Sequence, residues 1–119
     1  MKFIYITCNV SMLEAVTSLL DENEIRDYQV VEQVTSKNSY SLPRLNTAVW
    51  PGYNSSVFIQ ECDTEKVGIV MNKINEMNHS AFNDGELIAL FQWDITACLQ
   101  PGSEETVPDN CKEKENANN

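Results

Sequence analysis

The reactive side chains of this sequence are few in kind: one histidine, four cysteines and eighteen carboxylates among 119 residues. His79, the single histidine, is followed closely by Asn83, Asp84 and Glu86. One ring nitrogen with two carboxylates could hold a divalent cation. A histidine at the end of a helix also has a plainer use, since it can bond the unpaired carbonyls there. No Ser/His/Asp, Cys/His or paired-carboxylate set occurs at a spacing that one site could gather. The chain therefore reads as non-enzymatic. Cys8, Cys62, Cys98 and Cys111 form no C-x-x-C pair, which removes the zinc-ribbon and thioredoxin readings. They are expected to be reduced thiols, most of them acting as small hydrophobes in apolar runs.

A second concentration of chemistry is the stretch "PRLNTAVWPGYNSS", residues 43–56. It joins two strand-like runs and holds an Arg, a Trp, two Pro and a Tyr, more than a plain connection needs. Arg44 could meet a carboxylate of a partner or an anionic ligand. Trp50 could anchor a contact, because Trp is favoured at interface hot spots, or plug the sheet edge. Pro51 fixes φ at a strand entry.

These residues must be positioned by the elements around them. "KFIYITC" (2–8), "DYQVVEQVTS" (27–36), "SSVFIQEC" (55–62) and "ELIALFQWDI" (86–95) have strand character. "SMLEAVTSLLDEN" (11–23) places Met12, Leu13, Val16, Leu19 and Leu20 at helical spacing, with Ser11 and Glu14 in capping-box order. Asp63 or Thr64 can cap a second helix carrying Val67, Val70, Met71, Ile74 and Met77. The order is βαβ followed by βαβ. It predicts an α+β, ferredoxin-like βαββαβ fold with both helices on one face of a four-stranded antiparallel sheet. The other face carries apolar residues and should be buried by self-association. Residues 1–99 make this domain. Residues 100–119 are polar, with a net charge of −3, and are expected to form a flexible acidic tail.

The formal net charge of −10 opposes binding to nucleic acid or directly to anionic lipid, both of which need clustered Lys and Arg. The N-terminus lacks the pattern of a signal peptide and no stretch is apolar enough to span a bilayer, so a cytoplasmic protein is expected.

The two βαβ halves and the long intervening loop resemble the PII-like signalling proteins, trimeric regulators with such a loop after their second strand. The resemblance covers residues 1–99. It is nearest to a divergent branch with a Pro-Arg…Thr-x-x-Trp-Pro-x-x-Asn loop, here Pro43-Arg44, Thr47, Trp50-Pro51 and Asn54. Proteins of that branch are found beside heavy-metal efflux pumps of the RND class. The resemblance implies a homotrimer whose loop, residues 37–54, acts on a partner such as an inner-membrane transporter or efflux pump. Arg44, Thr47, Trp50 and Asn54 would be its partner- or effector-binding residues. His79, Asn83, Asp84 and Glu86 would line a second-half loop at a subunit cleft. The CutA cation-tolerance proteins share the fold and trimer, which keeps open an alternative of divalent-metal binding or metal tolerance through His79, Asp84 and Glu86. Nucleotide-binding PII proteins carry a Thr-Gly-x-x-Gly-Asp-Gly-Lys loop. The corresponding "HSAFNDGEL" (79–87) keeps Asn83-Asp84-Gly85 but has Glu86 at the lysine position. A carboxylate there repels phosphate, so ATP and ADP are expected to bind weakly or not at all.

Overall fold

The computed structural model describes residues 1–101; the remainder, 102–119, takes in nearly all of the predicted tail and lies outside the described residues. Strands β1 (Lys2–Asn9), β2 (Tyr28–Val34), β3 (Asn54–Glu61) and β4 (Ala89–Asp94) form one antiparallel sheet in the order β2-β3-β1-β4. Helices α1 (Leu13–Glu22) and α2 (Thr64–His79) follow β1 and β3, giving the expected ferredoxin-like arrangement.

Strand alternation sets which side chains meet the helices. Ile4, Ile6 and Cys8 of β1 pair across the sheet with Ile59, Val57 and Ser55 of β3, and all six are buried. Onto them pack Val16, Leu19 and Leu20 of α1, and Val67, Val70 and Ile74 of α2. Ile25 and Ile88 close the ends of this core. Asp63 caps α2 as predicted, its Oδ1 accepting from the Glu65 N–H at 2.9 Å. The capping box predicted at Ser11 and Glu14 does not form. Asn9 Oδ1 accepts from the Ser11 N–H at 3.1 Å, which opens a 3₁₀ turn over Val10–Met12 and delays the α-helix to Leu13. Strand β4 starts later than predicted because Asp84–Glu86 also form a 3₁₀ turn.

The face opposite the helices is aromatic. Phe3 and Tyr5 of β1 lie beside Phe58 of β3 and beside Trp93 and Phe91 of β4, with ring centroids 4.9–6.2 Å apart. Phe91 and Trp93 are 54% and 50% exposed in the single chain. Strand β2 borders this sheet as an edge, with Val30 and Val31 both exposed. The cysteines divide. Cys8 and Cys98 are free thiols, whereas Cys62 is disulfide-bonded, so the expectation of a reduced thiol fails there. That expectation rested on a compartment argument, which residue spacing does not test.

Candidate functional site: the cleft between the 37–53 loop and the 84–86 turn

The loop after β2 is two closed turns. Ser36 and Arg44 exchange backbone hydrogen bonds at 2.7 Å in both directions, which cinches residues 37–43 into a separate loop. Inside it, Asn38 Oδ1 accepts from the Tyr40 and Ser41 N–H groups and from the Ser41 hydroxyl. An Asn side chain often organises a turn in this way. The second turn is built by the motif residues themselves. The Thr47 N–H donates to Trp50 O at 3.0 Å, and the Trp50 N–H returns a bond to Thr47 Oγ1 at 3.0 Å. Asn46 and Gly52 take positive φ, at 56° and 81°, and the Asn46 N–H reaches Gly52 O at 2.9 Å. The tip is apolar, with Leu42 and Val49 each 75% exposed.

Arg44 sits where the two turns meet, and it is not a solvated loop charge. It is only 8% exposed. Its Nη1 donates to Asn54 Oδ1 at 2.7 Å, and its Nη2 donates to the Gly85 carbonyl at 3.1 Å. Asn54, 1% exposed at the start of β3, passes the connection on through its Nδ2 to Thr7 Oγ1 at 3.2 Å. Arg44 and Asn54, the ends of the loop motif, thus form one hydrogen-bonded unit with β1 and the second-half turn.

That turn is held from α2. The Asn78 amide exchanges bonds with the Ile88 backbone at 2.9 and 2.8 Å, closing residues 79–87 into a loop. Asn83 Oδ1 accepts from the Gly85 N–H at 2.8 Å, and Glu86 Oε2 accepts from the Phe82 N–H at 2.8 Å. Glu86 is therefore committed to its own loop. A Cβ on Gly85 would stand 2.9 Å from Asn83 Oδ1 and 3.3 Å from Arg44 Nη2, so both side chains would have to give way to it. His79 Nδ1 contacts the Asn75 carbonyl at 2.8 Å at the end of α2, the plainer of its two readings. Among the described residues, no group of three or more His, Cys, Asp or Glu could hold a metal ion. His79, Asp84 and Glu86 are not brought together as ligands.

Between the loop and the turn lies a cleft of about 750 Å³. Its walls include Tyr40, Leu42, Pro43, Val49, Trp50 and Pro51 from the loop, and Asn83, Asp84 and Gly85 from the turn, with Arg44 among them. Behind Arg44, burial pushes the Cys8 thiol up to about 11 from 9.0, against the opposing pull of the Arg44 charge. Burial also raises Tyr40, with Arg44 again opposing. Sequence reasoning missed Thr7, Asn78 and the Gly85 carbonyl. The Asn-Asp-Gly turn signal located the last of these but carried no sign of its partner.

No family model matches the sequence, and no curated protein matches it. Solved structures do match. CPII of Thiomonas intermedia K12, bound to ADP, AMP and acetate, superposes with a TM-score of 0.59 at 16% identity, covering 76% of this chain and 81% of that one. CPII bound to ADP and bicarbonate gives 0.59 at 14% identity, covering 93% and 91%. A candidate PII-like signalling protein from Thermus thermophilus gives 0.55 at 10% identity, covering 77% and 83%. The chain has the PII-like fold. Within it, the motif loop leaves the second strand and returns at the third, as the sequence resemblance implied.

Proposed function

We propose that this protein is a non-enzymatic, PII-like regulator, that it works as a homotrimer, and that its loop 37–54 acts on a partner such as a membrane transporter or efflux pump. The observation that carries the reading is the loop's construction. Its root is bonded through Arg44 to the 84–86 turn, while Leu42 and Val49 stand exposed at its tip. A cleft occupant would touch the same residues that hold the loop, and the loop's apolar tip offers a partner contact. The aromatic sheet face supports the trimer, because it is the apolar surface that the helices leave uncovered. The net charge of −10 favours a protein partner over nucleic acid or lipid, and no described helix is long and apolar enough to cross a membrane. We place the protein in the cytoplasm on this reading.

ADP and AMP are bound by CPII. That this chain does not bind them is argued from Glu86 alone, which stands at the lysine position and is bonded to Phe82. The alternative of metal binding or tolerance has no ligand cluster among the described residues to support it. The test is partner capture with the parent and with a variant whose residues 37–53 are replaced by a short turn. Capture of a transporter by the parent and its loss in the variant is the expected result. Equal capture by both would remove the loop from the account.

A further inference from the structure

We propose that Cys62 and Cys111 are the two halves of a thiol–disulfide switch. Oxidised, it ties the C-terminal segment back to the end of β3; reduced, it releases that segment. The switch rests on the cytoplasmic placement above, because a reducing compartment is what makes the bond reversible.

Cysteine accounting supplies the first observation. The chain has four cysteines, of which Cys8 and Cys98 are free and Cys62 is disulfide-bonded. Cys111 lies outside the described residues and is the one cysteine left in the chain to be its partner. In a reducing compartment disulfides are rare, and those that form are usually transient or redox-sensing.

The path of the chain supplies the second. After β4, the Ile95 N–H donates to the Met1 carbonyl at 3.1 Å, and Gln100 Nε2 donates to Gln60 Oε1 at 2.6 Å. These bonds carry the chain from β4 across the start of β1 to the end of β3. Gln60 stands two positions before Cys62, about 7 Å along an extended chain. The eleven positions from Gln100 to Cys111 can span about 36 Å, so the return to Cys62 is well within reach.

Access supplies the third. Cys62 is half-buried and lines a cleft of about 350 Å³ with Met1, Arg26, Gln60 and Lys66. A small reductant can reach its sulfur there, whereas Cys8 is 1% exposed. Reduction balances with a small dithiol. One of its thiolates attacks the bond, its second thiol displaces the mixed disulfide, and the dithiol leaves oxidised. Its two electrons and two protons end on Cys62 and Cys111. In the oxidised form one covalent ring encloses α2, the 84–86 turn and β4, the strand that carries Phe91 and Trp93. Such a ring restricts the unfolded chain, so the redox state sets how firmly the second βαβ half is held.

The experiment uses the full chain. Free thiols are alkylated in denaturant before and after dithiothreitol, and linked peptides are mapped by mass spectrometry. Two free thiols, Cys8 and Cys98, are expected, with a Cys62–Cys111 peptide that dithiothreitol splits. Reduction should lower the melting midpoint by about 10 °C or more. Cys111→Ser should melt at the lower midpoint with or without dithiothreitol, and Cys98→Ser should behave as the parent. In acid-quenched cells the pair should be mostly thiol, and mostly disulfide after the thiol oxidant diamide. Linkage of Cys62 to Cys98 or to a second chain would overturn the pairing. A pair in the same state before and after diamide, or a midpoint unmoved by reduction, would overturn the switch. Fractionation of the same cells reads the cytoplasmic placement separately, and partner capture through the loop is untouched by either result.

Discussion

Replacing Arg44 by alanine separates a structural tie from a charge held in reserve. If Arg44 met its partner only in a complex, the free protein would lose nothing. The structure puts it elsewhere, as donor to Asn54 Oδ1 at 2.7 Å and to Gly85 O at 3.1 Å. Hydrogen bonds from a charged donor contribute about 1.5–3 kcal/mol, and a stranded buried acceptor costs about 1–3 kcal/mol. Asn54 is 1% exposed, so its Oδ1 has no ready replacement, whereas water can reach the half-buried Gly85. Against these losses, the desolvation penalty of the buried guanidinium disappears. The balance is a destabilisation of about 2 kcal/mol, which lowers the melting midpoint of a domain this size by about 10 °C. Thermal and urea unfolding should be read at fixed protein concentration, because assembly makes the midpoint concentration-dependent. An unchanged urea slope would confirm that stability, not denatured-state compactness, has moved. A midpoint within about 2 °C of the parent would refute the reasoning, since it corresponds to well under 1 kcal/mol.

Other consequences follow from the same geometry. Gly85→Ala should destabilise by about 1 kcal/mol in thermal melts, because its Cβ would meet Asn83 Oδ1 at 2.9 Å and press on Arg44. Trp50→Ala should speed amide exchange across residues 45–53 while sparing the assembly, since the Trp50 ring leaves the cleft wall but its backbone bonds to Thr47 stay available. Alkaline unfolding should report Cys8. Its folded value near 11 lies above the ordinary 9.0, so its contribution is complete below pH 9 and is lost as the pH rises toward 11. The full loss is at most about 2.7 kcal/mol, and Cys8→Ser should flatten the slope between about pH 9 and 10, below the range where Tyr40 adds to it.

What the sequence made legible was local. The alternation of Ile4 and Ile6 with Phe3 and Tyr5 announced a strand with two apolar faces, and Asp63 announced the start of α2. Both signals act within a few residues, so no distant partner could change their meaning. The capping box failed within the same range, because Asn9 competed for the Ser11 N–H and won a different turn. The bonds of Arg44 escaped the sequence for the opposite reason. Its acceptors lie 10 and 41 residues away, and a sequence scanned in windows shows the donor without them. Arg44 and Asn54 could be named from the sequence, while their partners in β1 and the 84–86 turn became visible only once the two βαβ halves were laid side by side. Cys62 shows a further limit, since an oxidation state follows the compartment and the distance between thiols, neither of which spacing reveals.

The regulatory account stands or falls first on assembly, because the aromatic face formed by Phe3, Tyr5, Phe58, Phe91 and Trp93 must be covered for the PII-like reading to hold. Sedimentation equilibrium at micromolar concentration measures this directly. The account predicts a particle of three chain masses that dissociates when Trp93 is replaced by Glu. A stable monomer, or a trimer indifferent to that charge, would contradict it.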